Sequence, residues 1–278
     1  MADLLSLLTP DLLLLAAGLL ITGVAAGILS GLLGVGGGIV IVPVLYHVFT
    51  GLGVDEAVRM HVAVGTSLAT IIPTSLSSSR AHRRKGSIDD ALLKSWVPSV
   101  FAGVVIATLW GTQAKGWVLT AVFAVVALAV AANMTFRREG WTVADHLPTG
   151  WIRQALGAVI GGLSALMGIG GGTLSVPILS ACSYPIHRAV GTASALGLMI
   201  AIPGTIGFLI NGLDIPGRPP LSLGFISLPG LLLILPTTIL AAPWGVRLAH
   251  VLNGPRLRQV FAFFLFITSL RMIYALLT

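Results

Sequence analysis

Ten apolar runs punctuate this chain, at about 12–33, 39–50, 61–79, 91–111, 117–136, 151–167, 173–183, 189–210, 223–244 and 258–277. Most approach the roughly 20 residues that an α-helix needs to cross about 30 Å of hydrocarbon. With 56% hydrophobic residues, 9% charged residues and a mean hydropathy of +0.99 over 278 residues, no soluble domain of this length would stay in solution. The ten-residue alternating strands of an outer-membrane barrel are absent from the pattern. The chain reads as an all-α membrane protein.

Two of the ten runs, 39–50 and 173–183, are too short to span unaided, and each follows a glycine cluster. A shift of 134 residues lays GVAAGILSGLLGVGGGIVIVPVL (23–45) on GAVIGGLSALMGIGGGTLSVPIL (157–179) with 12 of 23 positions identical. AVGTS at 63–67 echoes AVGTAS at 189–194, and Gly86, Ile88 and Pro98 recur as Gly224, Ile226 and Pro236. The expected organisation is an N-terminal transmembrane repeat over 1–136, a polar cytoplasmic linker over 137–150, and a C-terminal repeat over 151–278.

Charge orients the repeats. If all ten elements cross, one side collects Arg80, Arg83, Arg84, Lys85, Lys94, Arg137, Arg138, Arg153, Arg188, Arg247, Arg256 and Arg258, against Arg59, Lys115 and Arg218 on the other. Basic residues concentrate in cytoplasmic loops. If the short elements instead re-enter, the division weakens to 9 against 6. The stronger signal therefore favours five crossings per half, an inverted repeat, and both termini outside the cytoplasmic membrane. The N-terminal stretch lacks a basic n-region and carries Asp3 and Asp11, so it reads as a retained first helix.

Each interior glycine costs a helix roughly 1 kcal/mol relative to alanine, so Gly36, Gly37 and Gly38, and likewise Gly170, Gly171 and Gly172, mark breaks. Irregular backbone at membrane depth is tolerated only where protein or water covers it. A helix starting there presents free N–H groups and a positive dipole end, which favour an anion. Two such starts approaching from opposite faces would form a cradle. By contrast, the rows Gly23, Gly27, Gly31 and Gly157, Gly161, Ala165 have small-residue spacing that needs only close helix packing. Thr66 and Ser67, with Thr192 and Ser194, sit in the paired Gly-Thr motifs and would add hydroxyl donors to the cradle.

All nine acidic residues lie outside or at the edges of the apolar runs. That pattern argues against a carboxylate proton relay, an intramembrane aspartyl protease and acidic cation-selecting rings. His61 and Arg271 are the candidates for a proton or gating role, with His47 a second histidine to weigh. No His/Cys/Asp grouping has metal-site spacing, and GVGGGI fails the dinucleotide pattern because Ile39 stands where glycine is needed. Neither cofactor nor metal is expected, and no catalytic residue. Despite the net charge of +7, the basic residues cluster between apolar runs, so the expected partners are a small anion and the lipid bilayer rather than nucleic acid. The sequence leaves the oligomeric state open, a homo-oligomer included.

These motifs resemble the sulfite exporter TauE/SafE family of membrane transporters. The likeness rests on GLLGVGGGIVIVPVL, MHVAVGTSLATIIPTSLSSSRAHRRKGSID (60–89), LMGIGGGTLSVPIL and the tail over 221–266. It implies export of sulfite, an organosulfonate such as sulfoacetate, or a related small anion, with family glycines at Gly34, Gly36 to Gly38, Gly168 and Gly170 to Gly172. The second Gly-Thr motif departs from the family, reading GTAS rather than GTS, so the two sides need not be equivalent. The alternatives left open are a carrier of another solute or ion and a non-transporting membrane scaffold.

Overall fold

The computed structural model describes residues 10–136, 142–252 and 254–277. Asp3, Arg137, Arg138 and Glu139 lie outside the described residues, so the linker is seen only from residue 142. Among the described residues, ten helices run in order: α1 Pro10–Leu33, α2 Gly38–Gly51, α3 Glu56–Arg84, α4 Asp90–Gly111, α5 Gly116–Phe136, α6 Gly150–Met167, α7 Gly172–Ala181, α8 Ile186–Asn211, α9 Leu228–Val251 and α10 Gly254–Leu277. The all-α expectation holds, with one addition. Ser222–Leu223 and Ile226–Ser227 pair as a two-residue antiparallel hairpin, turning on Gly224 at φ 57°, so α9 starts five residues later than the apolar run beginning at 223 suggests.

Among the described residues, five helices are long and apolar enough to cross a membrane: Ala16–Leu33 within α1, then α4, α5, α8 and α9. This is a multi-pass membrane protein. Along α3, serines, threonines and the terminal His82, Arg83 and Arg84 dilute the hydropathy; the basic end complements the negative pole of the helix dipole. Asp55 caps the start of α3 through the Ala57 amide, Asp89 caps α4 through Leu92, and Ser227 caps α9 through Gly230.

The small-residue rows do what their spacing predicts. Side chains at Gly23, Gly27 and Gly31 would strike Thr237, Thr238 and Ala242, and those at Gly157 and Gly161 would strike Ser99 and Val100. The bare backbone thus seats α1 along α9 and α4 along α6. In both pairs the contact positions advance together, so the helices run parallel. By contrast, α3 and α8 are antiparallel, with Gly65 beside Phe208, Leu68 beside Gly204 and Ser75 beside Gly197. Thr66 meets Ser227 and Ser77 meets Ile239, so α3 runs parallel to α9. Asp89 meets Thr192 and Thr108 meets Gly207, so α4 runs parallel to α8. Consequently α1, α3 and α9 point one way, and α4, α6 and α8 the other.

These directions place Arg83, Arg84, Lys85, Arg153 and Arg188 at one end of the bundle, where Trp96 reaches the Arg153 carbonyl and Arg188 lies 3.2 Å from Asp89. The Asp89 carboxylate also accepts the Tyr184 hydroxyl proton and the Leu92 amide, and together with Arg188 these hold its pKa below the usual carboxylate range. Burial and the same carboxylate push the Tyr184 hydroxyl up.

Candidate functional site

Each glycine-rich break sits halfway along the long helix beside it. α1 ends near the end of α3, where Ser78 reaches the Ser30 carbonyl at 3.4 Å and His82 the Gly31 carbonyl at 2.9 Å. The chain then doubles back. Gly36 lies against Ile71 and Ser75, Gly38 against Ser67, and α2 continues until Tyr46 lies under the Arg59 guanidinium near the start of α3. The second break repeats this against α8, where Gly171 lies against Ala193 and Leu196. A break and its short helix together carry the chain back along the bundle.

The first break needs glycine for its backbone as well as its packing: Gly36 and Gly37 adopt φ 74° and 82°, which L side chains rarely tolerate. Gly170, Gly171 and Gly172 have no positive φ, and only Gly168, at φ 63°, matches the first break. The halves are equivalent in sequence position and different in conformation.

The two breaks touch. Gly170 donates its N–H to the Val35 carbonyl at 2.8 Å, Ser67 donates to the Gly168 carbonyl at 2.6 Å, and a Cβ at Gly172 would lie 2.6 Å from the Gly34 carbonyl. Residues 32–43 and 165–177 are all buried. The cradle expected as a hollow between the triplets is therefore closed here, because bare backbones approach more tightly than any side chain would allow.

What remains at the closed junction is unspent hydrogen-bonding capacity. Gly37 stands at the N-cap of α2 and Gly171 at that of α7, and neither start has a side-chain cap. Among the described residues, the amides of Gly36 to Ile39 and of Gly171 to Leu174 have no acceptor. The hydroxyls of Ser30, Ser75, Ser164 and Thr173 are fully buried and also have no partner among the described residues. Orphaned buried polar groups of this kind cost about 1 to 3 kcal/mol each. Ser75 Oγ stands 3.3 Å from the Cβ position of Gly36 and 2.7 Å from that of Gly197, which is itself 3.7 Å from the Gly171 nitrogen. This hydroxyl lies where the two breaks meet.

The sequence candidates separate into two groups. Gly36, Gly37, Gly38, Gly170, Gly171, Gly172 and Ser67 do come together. Thr66 and Thr192 are structural pins instead: Thr66 Oγ1 accepts from the Ser227 amide at 2.8 Å and Thr192 Oγ1 from the Asp89 amide at 2.9 Å. Ser194 donates to the Gly191 carbonyl within its own helix, at 2.7 Å. His61 is 3% exposed, 3.2 Å from the Gly111 carbonyl and stacked on Phe225, near the end of α4. Arg271 lies in a cleft between α2 and α10. Neither residue is among the contacts of the breaks.

Reasoning from sequence alone missed Ser30 and Ser164, although the repeat carried their signal: they occupy the same column of the 134-residue alignment, one turn before each break. Ser75 has no such signal, since only the fold brings it against Gly197.

Comparison with known proteins is consistent with this architecture. The family model described as "Sulfite exporter TauE/SafE" matches residues 19–272. A "Probable membrane transporter protein" of Haemophilus influenzae is 33% identical over 256 residues, covering 91% of this chain and 96% of its own. One of the same description from Methanocaldococcus jannaschii is 28% identical over 269 residues, covering 95% and 97%. A third, from Bacillus subtilis, is 27% identical over 216 residues, covering 70% and 78%. No solved structure matches the chain. Its membrane helices, paired glycine breaks and near full-length match place this chain in the sulfite exporter TauE/SafE family of membrane transporters.

Proposed function

We propose that this transporter moves a small sulfur-containing oxyanion, sulfite or an organosulfonate such as sulfoacetate, outward across the cytoplasmic membrane. The observation that carries the reading is the meeting, deep in the bundle, of two uncapped helix starts whose buried amides have no acceptor among the described residues. An anion supplies the acceptor that these amides lack, without requiring a charged side chain. The glycines Gly36 to Gly38 and Gly170 to Gly172 form the walls of this site, and the Ser75 and Thr173 hydroxyls supplement Ser67. Reading the chain as two inverted halves is supported by the opposite directions of α1 and α6. In this reading both termini lie outside.

The closed junction corresponds to an occluded state. Parting the breaks frees the Gly170 amide from Val35 and the Ser67 hydroxyl from Gly168, which adds two donors for the incoming ligand. Binding energy is then largest while the junction is open to one face or the other. Moving one elementary charge across 100 mV changes free energy by about 2.3 kcal/mol, so an inside-negative potential drives an anion outward. No coupling carboxylate is needed.

The test is flux in proteoliposomes, comparing sulfite, sulfate, thiosulfate and sulfoacetate under imposed voltage and pH gradients. Saturable, voltage-driven movement of sulfite or sulfoacetate is expected. Absence of saturable movement for all four anions overturns the reading.

A further inference from the structure

Two cavities open between α2 and α10, and His47 lines both. The larger, about 570 Å³, lies among Tyr46, Arg59 and Tyr274 at the end of the bundle where α2 finishes. The smaller, about 370 Å³, is a cleft with apolar walls of Val40, Val44, Phe264 and Ile267 and two basic residues, His47 and Arg271. Spacing explains the shape. Val40, Val44 and Val48 recur every four residues on α2, and Phe264, Ile267 and Arg271 follow the three-to-four residue spacing of one α10 face.

The cleft opens sideways. Ile267 lines it and is also 44% exposed, alongside the exposed Phe263, Phe266 and Leu270 of the same helix. In a membrane that apolar surface faces lipid. Arg271 is exposed in the apolar second half of this helix, 13 residues after Arg258 and six before the last residue, or about 9 Å from that end at 1.5 Å per residue. The guanidinium has no hydrogen-bond or ion-pair partner among the described residues, and buried His47 Nε2 has none either. A cation set on the apolar, lipid-facing side of a helix calls for an anionic partner near the interface.

We propose that a membrane phospholipid occupies this cleft, its phosphate held between Arg271 and His47 and one acyl chain lying along Val40, Val44, Phe264 and Ile267. A guanidinium matches a phosphate with two parallel hydrogen bonds, and basic pockets between membrane helices suit lipid headgroups. A free oxyanion fits less well, because the walls below the two basic groups are hydrocarbon apart from Thr268, whose hydroxyl is already donated to the Phe264 carbonyl at 2.8 Å. The lipid wedges α10 against α2, the helix whose start forms the first glycine break. The proposal does not depend on which solute the protein carries.

The test uses the full-length protein, delipidated in detergent and titrated with phosphatidylglycerol in mixed micelles, with bound lipid counted by native mass spectrometry. One lipid is expected to persist on the wild type. Arg271→Gln should weaken its retention at least tenfold and Arg271→Lys restore most of it. Val44→Trp, which fills the cleft while keeping both basic groups, should also release the lipid. Inorganic phosphate and sulfite at millimolar concentration should leave it in place. Equal retention by the wild type and Arg271→Gln overturns the proposal, as does retention unchanged by Val44→Trp or displacement by either free anion. Because the readout is bound lipid, its failure would leave the flux result standing, and failure of the flux assay would leave this one standing.

Discussion

Thr192 Oγ1 accepts the Asp89 amide proton at 2.9 Å, tying the helix cap of α4 to α8 across 103 residues of chain. The other half repeats the bond, with Thr66 accepting from Ser227, the cap of α9, across 161 residues at 2.8 Å. In each case the motif threonine of one half holds a helix start that lies next to it only in the folded bundle.

Replacing either threonine by valine keeps the shape and removes the acceptor, leaving an amide at the helix cap unpaired. The expected loss is about 1 to 3 kcal/mol for Thr66→Val, and the same or less for Thr192→Val: both threonines are fully buried, but the Asp89 side of the second bond is partly exposed. Thermal unfolding in detergent checks this, with the serine variants at both positions retaining most of the stability. Equal melting of Thr66→Val and wild type would refute the pin.

Asp89 makes the fold sensitive to acid. Its pKa is depressed, first by the Tyr184 hydroxyl, then by the Leu92 amide and Arg188. The stabilisation is fully present above the unfolded-state value of about 3.9 and is lost as pH falls through the lower folded-state value. Melting temperatures should hold their Asp89 contribution down to about pH 4 and lose it below that in the wild type, with a smaller loss in Asp89→Asn.

The glycine rows and the open glycines should respond oppositely. Gly161→Val would drive a side chain into the Val100 backbone and destabilise by at least about 1 to 3 kcal/mol, the usual range for overpacking. Gly18→Ala meets nothing within 4 Å and should gain up to about 1 kcal/mol from helix propensity. Folded yield and melting temperature of the two variants decide the point.

Ser75 separates function from stability. An unpartnered buried hydroxyl contributes nothing to the fold that alanine lacks, so Ser75→Ala should melt at or above the wild-type temperature. If that hydroxyl meets the anion, sulfite flux should fall about tenfold or more in the same protein. Unchanged flux would remove Ser75 from the site.

Much of this was legible in the sequence for a physical reason: glycines four apart fall on one helix face, and a duplicated break must recur at the equivalent place in both halves. The closure of the two breaks was not legible. Repeat alignment shows that Gly36 and Gly170 are equivalent, and it gives no distance between them. The roles of Thr66 and Thr192 were hidden similarly, since a hydroxyl in a membrane helix reads as a donor until its distant partner is known. The hairpin at 222–227 was missed because two-residue strands carry no periodicity, and Leu223 and Ile226 blend into the apolar run that follows.

The central claim is that backbone amides at the two breaks receive the anion. Solid-state NMR of the protein in bilayers, labelled with nitrogen-15 glycine, reads those amides directly during a sulfite titration. The account predicts that the Gly37 and Gly171 amide resonances shift together and saturate at the sulfite concentration that saturates flux. Resonances that stay fixed while flux saturates would contradict it.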